Sequence, residues 1–493
     1  MAMPLAGPYP CTTFARPMVK SELMKTGVLL LFALTSLVAS GQTTTVQSRN
    51  GSQKTTYNRG GINSFSVETR GTMEISDDDK DIKSMSGDGY LEITKTVFGS
   101  RRTIVITAEG NGLKKEYYEG RTPVAFEPEG RKWLGEILPE IVRTTTIAAE
   151  SRVKRFYKNG GVKAVLDEIR IIESDYVKVH YANALMSQNI PTQNIAMVIS
   201  QVSETMDSDH YITEFLTKNM SKFIGSKEAM ETVFASTKNM DSDHYKTQVI
   251  KEALDAAPVT LESVKIALQA TGNMDSDHYK TEVITSLLQQ NNLTDGIVSE
   301  MVNATKSMES DHYKTQVLTS ALSKPGLSSA SFQRVLESVK EMDSDHYKTE
   351  VMNNLLDNPL GPDVQSILIA ATSSIESDHY INLVGKNILK KQPLSDESFQ
   401  KLLETMAGHQ SDYYMADFLK TASERPNLSK QNLQTILTAA GAIESDHYIT
   451  EVLVEMAPMI KASNDAALKD AYRVTAKKIS SETYYGRALR AID

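Results

Sequence analysis

The 493-residue sequence is poor in several things, and each scarcity closes off a class of function. It has one cysteine, Cys11, and one tryptophan, Trp133. Basic residues do not dominate: 53 Lys and Arg stand against 62 Asp and Glu, a formal net charge of −9, with no basic patch. That balance argues against a general nucleic-acid binder. Beyond the N-terminus no apolar stretch approaches the length that spans a bilayer, so no stable membrane insertion is expected of the mature chain. No P-loop, dinucleotide-binding glycine fingerprint or nucleophile elbow stands out. None of the nine histidines is followed by Glu, which excludes a His-Glu-x-x-His zinc helix. What remains, with 40% hydrophobic and 23% charged residues, has the make-up of an ordinary globular chain with a large core.

The apolar run Val28–Ala39, led by lysines and followed by Ser40 and Gly41, reads as a secretory signal peptide over residues 1–40. Val38 and Ser40 suit the −3 and −1 positions of a cleavage site. The stretch ahead of Met24 is longer than a charged leader needs, so Met24 is the expected start. Cleavage removes Cys11, leaving no disulfide, thiolate nucleophile or cysteine-bound metal, and the product is expected to be periplasmic or secreted.

Residues 41–61 are polar, rich in Thr, Ser, Asn and Gly, and read as a flexible leader. Residues 62–126 become strand-like, with β-branched and aromatic runs separated by "SGDG" and "GNG". They predict a small antiparallel β domain of about four strands. Connecting helices follow over 127–160. Trp133, Ile137 and Ile141 share one face, with Trp133 expected to plug the sheet's open face. Pro139 is expected to kink or divide the helix, and Gly160 and Gly161 to stop it.

The rest, 161–493, is repetitive. An Asp before His or Tyr recurs at Asp175, Asp209, Asp243, Asp277, Asp311, Asp345, Asp378, Asp412 and Asp446, at intervals of 34 residues with one of 33. Glu482 holds the same position in a degenerate last copy, giving nine to ten repeats. In one unit Tyr279, Val283, Ile284, Leu287 and Leu288 form one helical stripe, and Ile297, Val298, Met301 and Val302 a second. Loop openings place Thr294, Ser395 or Asp396 where a helix needs an N-cap. Each unit is therefore a helical hairpin, and stacked hairpins make an α-solenoid. The tetratricopeptide pattern of Trp, Leu-Gly and Tyr is missing, so the fold class is mostly α and HEAT-like, preceded by the β domain.

The motif "SDHY" holds residues that elsewhere build metal or hydrolase sites. Solenoid helices pack about 8–10 Å apart, too far for ligands of stacked copies to share one ion. Adjacent Asp and His side chains at a helix start diverge. Tyr176 and Tyr413 replace the histidine in two copies, and tyrosine substitutes as a ring rather than as a ligand or base. No catalytic, cofactor-binding or metal-binding residue is assigned.

The favoured reading is architectural. Ser208 with Asp209, Ser242 with Asp243, Ser276 with Asp277, Ser310 with Asp311 and Ser344 with Asp345 cap helices. The tyrosine enters the core, and Met or Ile ahead of the motif seals the loop. A functional remainder is a surface ladder of His210, His244, Lys246, His278, Lys280, His312, Lys314, His346 and Lys348 that would recognise a protein or extended peptide. The acidic loop "SDDDKD", Ser76–Asp81, lacks the ligand spacing of a calcium loop.

The stretches "FSVETRGTMEISDDDKDIKSMSGDGYLEI", "EPEGRKWLGEILPEIV" and "ESRVKRFYKNGGVKAVLDEIRIIESDYVK" resemble the extracytoplasmic sheet-plus-helical-repeat module of bacterial membrane zinc metallopeptidases of the β-lactam-sensor type. The resemblance covers roughly residues 64–493 and implies a stand-alone sensing or interaction module, because the peptidase helices and their zinc motif are absent. A non-enzymatic binding or scaffolding protein is thus expected. The rival is a hydrolase or metal-dependent enzyme where the β domain meets the first repeats, using Asp78, Glu150 or His180.

Overall fold

The computed structural model describes residues 42–49, 52–59, 63–110, 112–291, 293–408 and 411–493. The proposed signal peptide lies outside them. The chain divides into two compact units, Met1–Leu138 and Pro139–Asp493.

In the first unit the strands are β1 (Gln42–Arg49), β2 (Ser52–Arg59), β3 (Asn63–Arg70), β4 (Met73–Ile75), β5 (Ile82–Met85), β6 (Tyr90–Val97), β7 (Ser100–Glu109), β8 (Gly112–Glu119) and β9 (Thr122–Val124). Seven of them form one antiparallel sheet in the order β1-β2-β3-β6-β7-β8-β9, and β4 pairs with β5 alone. The sheet is larger than the four strands expected, and it begins earlier. The stretch read as a flexible leader supplies β1 and β2, paired so that Arg49 faces Ser52 and Val46 faces Thr55. These strands escape an apolar-period search because their β-branched residue is mostly threonine, which the backbone ladder accepts as readily as valine.

One face of the sheet carries the core. Val67 lies opposite Ile93, Ile93 opposite Ile104, and Ile104 opposite Tyr117. All four are at most 2% exposed. Trp133 packs on Tyr117 with ring centroids 5.9 Å apart, as expected of the lone tryptophan. The acidic loop between β4 and β5 is held by the protein itself. Ser76 donates to Asp78, and Asp81 accepts from Lys115 and, at 2.8 Å, from Arg131.

Helix α1 (Arg131–Thr144) runs through Pro139 and is not divided there. The break comes later, where Ala148 takes φ +56° ahead of α2 (Ala149–Ile171). Within α2 the backbone leaves helical geometry at Gly160 and Gly161, as the glycine pair suggests. Gly161, at φ +65° and ψ −157°, occupies a region that side-chain-bearing residues avoid.

The second unit is an α-solenoid of helical hairpins. Each sequence marker is the first residue of a helix: Asp175–Met186, Asp209–Lys218, Asp243–Ala256, Asp277–Leu288, Asp311–Leu322, Asp345–Leu355, Asp378–Lys391, Asp412–Ser423, Asp446–Ser463 and, closing the array, Glu482–Ile492. Between successive marker helices lies a second helix, from Ile195–Thr205 to Ala466–Ala476. Along the array marker helices pack on marker helices and second helices on second helices, with one continuous core between the layers. Where Met or Ile stands ahead of the motif it is buried, as in Met240, Met274, Met308, Met342 and Ile443.

A buried charge cluster ties α1 and α2 to the first marker helix. Glu168 accepts from Arg143 at 2.9 Å and from Arg152 at 2.8 Å, and Arg152 also reaches the hydroxyl of Tyr181. Burial pushes the Glu168 carboxyl up, but the two guanidinium groups outweigh it and hold it below the usual range. Because Arg152 is 1% exposed, Glu168→Ala would strand a buried cation. It should cost about 3 kcal/mol, while Tyr181→Phe should cost about 1 kcal/mol. Urea unfolding followed by circular dichroism checks both, and equal losses would contradict the charge argument.

Candidate interaction edge

The starts of the marker helices form one edge of the solenoid. The fold requires a donor there to be satisfied: the loop entering each marker helix has free backbone amides. The serine ahead of the marker was expected to cap its own helix. It sits at the N-cap position with extended backbone angles, yet Ser208, Ser242, Ser276, Ser310 and Ser344 make no side-chain capping bond. Their amides donate to the marker of the preceding unit instead. Asp243 accepts from Asp275 N at 2.9 Å and Ser276 N at 2.8 Å; Asp277 accepts from Glu309 N and Ser310 N, both at 2.7 Å. The same pair of bonds is made at Asp175, Asp209, Asp311, Asp345, Asp412 and Asp446, where Ser480 N and Ser481 N donate, and at Asp378 Ser411 N donates.

The marker aspartates are therefore clamps between units rather than caps of their own helices. Side-chain caps do occur at the second helices, where Thr294 accepts from Ile297 N and Ser395 from Ser398 N, as expected. Asp396 is not a cap; it accepts from Asn432 of the next unit at 2.8 Å.

The lysines of the expected ladder do not face outward. Lys246, Lys280 and Lys348 are 7%, 6% and 6% exposed, and the Lys314 side chain only 12%. One turn along the helix from the marker, each ammonium lies 3.0, 3.2, 3.7 and 3.7 Å from its aspartate in Lys246, Lys280, Lys314 and Lys348. Lys280 also donates to Ser307 O at 2.8 Å and Lys348 to Ser374 O at 2.7 Å, both carbonyls of the next loop. The sequence held a clue: Ile212, Ile381, Met415 and Ile449 occupy this position elsewhere, all buried. Burial pushes the Asp243 and Asp277 carboxyls up, but the next unit's amides and the paired lysine hold both below the ordinary range.

The histidines are exposed, at His210, His244, His278, His312, His346, His379 and His447. Each ring meets the tyrosine beside it at 5.0–5.3 Å and the tyrosine of the next unit at 5.8–6.1 Å, steeply inclined. Tyr413 fits the same place, 5.0 Å from Tyr414 and 5.8 Å from Tyr448. Tyr176 begins the row and Tyr484 ends it, so the rings run unbroken along the edge. The tyrosines are half-buried, bridging core and surface.

Beside the rings runs a second row that the motif's lettering contained but that drew no notice. Two residues before the marker stand Glu173, Asp207, Asp241, Asp275, Glu309, Asp343, Glu376 and Glu444, all exposed. Among the described residues none of these eight carboxylates lies in an ion pair. A shallow groove of about 650 Å³ opens between two of them, lined by Met274, Asp275, Asp277, Lys280, Glu309 and Ser310.

The rival site's residues are placed differently. Asp78 is exposed and bonded to Ser76. Glu150 is exposed at the start of α2, and His180 Nδ1 lies 2.8 Å from Tyr176 O. Among the described residues no hydrogen bond or ion pair joins Glu150 to His180. No group of three or more His, Cys, Asp or Glu among the described residues is arranged to hold one metal ion.

Asp277→Ala should destabilise the solenoid by about 3 kcal/mol by stranding Lys280, and adding Lys280→Met should recover much of the loss. Hydrogen exchange at the Asp277 and Asp311 units reads the effect locally, and additive losses would show that the buried Asp277–Lys280 pair is not coupled. His312→Tyr should leave the melting temperature nearly unchanged, whereas His312→Ala should cost about 1 kcal/mol by removing ring contacts on both sides. Thermal melts of the two variants separate a packed ring from an idle one.

No protein-family profile and no curated protein matches the chain. Among solved structures it is similar to a circular tandem repeat protein with novel repeat topology and enhanced subunit contact surfaces, at 9% identity and a TM-score of 0.13, covering 74% of this chain and 78% of that one. It is also similar to a chain from the computational design of self-assembling cyclic homooligomers, at 14% identity and a TM-score of 0.07, covering 70% and 88%. With overlap this low, the fold assignment rests on the chain's own helices.

Proposed function

We propose that this chain is a non-enzymatic binding or scaffolding protein whose marker-helix edge holds an extended, cation-bearing polypeptide. The observation that carries the reading is the pairing of two parallel rows, eight exposed carboxylates and an unbroken run of rings, at one period. Carboxylates attract Lys and Arg, and aromatic faces accept the same cations. An extended strand advances about 3.3 Å per residue and stacked units about 10 Å, so every third residue of a bound segment meets one unit. The carboxylates would repel a nucleic-acid backbone. Among the described residues no helix is long and apolar enough to cross a membrane. Export rests on the N-terminal apolar run, and a sensing role on the resemblance to the metallopeptidase-associated module.

A labelled peptide with Lys at every third position should bind the full chain, weaken steeply with salt, and outcompete its Glu counterpart. Replacing Asp241, Asp275, Glu309 and Asp343 by Asn or Gln should weaken binding at least tenfold with the melting temperature held. Fluorescence anisotropy gives both answers. Preference for the Glu peptide, or indifference to the four substitutions, would refute the assignment.

A further inference from the structure

The tip of the β6–β7 hairpin is built against the interests of the fold. Val97 pairs with Ser100, so Phe98 and Gly99 form a two-residue turn, with φ +47° and +84°. Glycine suits this turn, and asparagine is the usual partner at its first position. Phenylalanine pays a steric penalty there and recovers nothing by packing, being 84% exposed beside Val97 at 36%. A strained residue with no structural return points to a role at the surface.

The surroundings say which kind. Arg101 and Arg102 follow the turn on β7, both exposed, and Lys95 lies opposite Arg102. Gly120 N donates to Arg101 O at 2.8 Å, which brings the exposed Arg121 beside them. Among the described residues Arg101, Arg102 and Arg121 are in no ion pair. Glu119, opposite Arg102, is the carboxylate at this end, and it accepts from the Tyr117 hydroxyl at 2.9 Å. The acidic β4–β5 hairpin follows the other end of β3, where Arg70 faces Tyr90. An apolar point ringed by cations thus occupies one end of a sheet.

We propose that this hairpin tip docks on an anionic phospholipid surface, Phe98 and Val97 entering the headgroup boundary while Arg101, Arg102 and Arg121 meet lipid phosphates. Neither signal suffices by itself, and lasting peripheral attachment needs both together. A soluble polyanion would use the arginines and leave the aromatic tip without purpose, which is why a membrane is favoured. The site is separate from the solenoid edge and does not rest on the function proposed for it.

The test is co-sedimentation of the full chain with vesicles of phosphatidylcholine alone or with 30% phosphatidylglycerol. Binding should appear with the anionic vesicles, be at least tenfold weaker with the neutral ones, and fall in 0.5 M salt. Phe98→Asn should weaken it about tenfold while the melting temperature holds or rises, since asparagine fits the turn. Arg101→Gln with Arg102→Gln should weaken it as much. No binding to anionic vesicles would overturn the proposal, and undiminished binding by Phe98→Asn would overturn it in favour of a purely electrostatic polyanion site.

Discussion

A carboxylate on the first turn of one helix accepts two amides from the loop that begins the next unit, and the solenoid is this bond repeated. Its value lies in the donors it satisfies. An amide left without a partner at a packed junction costs more than an ordinary hydrogen bond gains, and among the described residues every junction but that at Asp378 offers two. The aspartate must stand at one place relative to the next loop, so the spacing of the repeats is set by hydrogen-bond geometry as well as by core volume. Where the interval contracts to 33 residues, Asp345 still accepts from Glu376 N and Ser377 N at 3.0 and 2.8 Å. The contraction is absorbed elsewhere in the unit.

Around that bond the other motif positions take separate tasks. The lysine compensates the half-buried carboxylate and feeds its spare protons to the next loop's carbonyls, but Ile or Met serves where packing alone is enough. The ring after the marker joins its own tyrosine to the next, a lateral tie on the outside of the same junction. At the second helices Asp295 repeats the device, accepting from Ser328 N and from the hydroxyls of Ser328 and Ser331. The units that begin their second helix with Asp295 and Asp396 thus grip the next one at both helices of the hairpin. Such an array draws its stability from nearest-neighbour contacts.

The fold was legible where periodicity carries it. A marker every 34 residues, followed by helical stripes, located the first residue of each marker helix, because the local pattern and the tertiary packing demand the same thing there. The first two strands were not legible because edge-side strands are held by backbone pairing and leave Thr, Gln and Ser free to look like linker. At the site the aspartate was singled out for the wrong bond. Capping one's own helix and binding the next unit's amides call for the same short acidic side chain, and sequence alone does not say which amide lies nearer. The lysines misled because charge suggests solvent, although a four-carbon stem buries well when its head finds a carboxylate.

The acidic residues two before the markers pose a sharper problem, since the fold uses only their amides. Any residue except proline could donate that bond, yet eight of the ten positions are Asp or Glu, Gln410 and Ser480 being the others. Attraction to the helix N-terminus explains part of this, at about 0.3–1 kcal/mol per exposed carboxylate. The marker aspartate already stands closer to the same dipole, however, and a second negative charge beside it works against the first. Electrostatics within the fold therefore favours the row weakly at best, while a row of like charges standing in solvent invites a cation from outside. What the solenoid does not require of these side chains is the strongest indication that something else does.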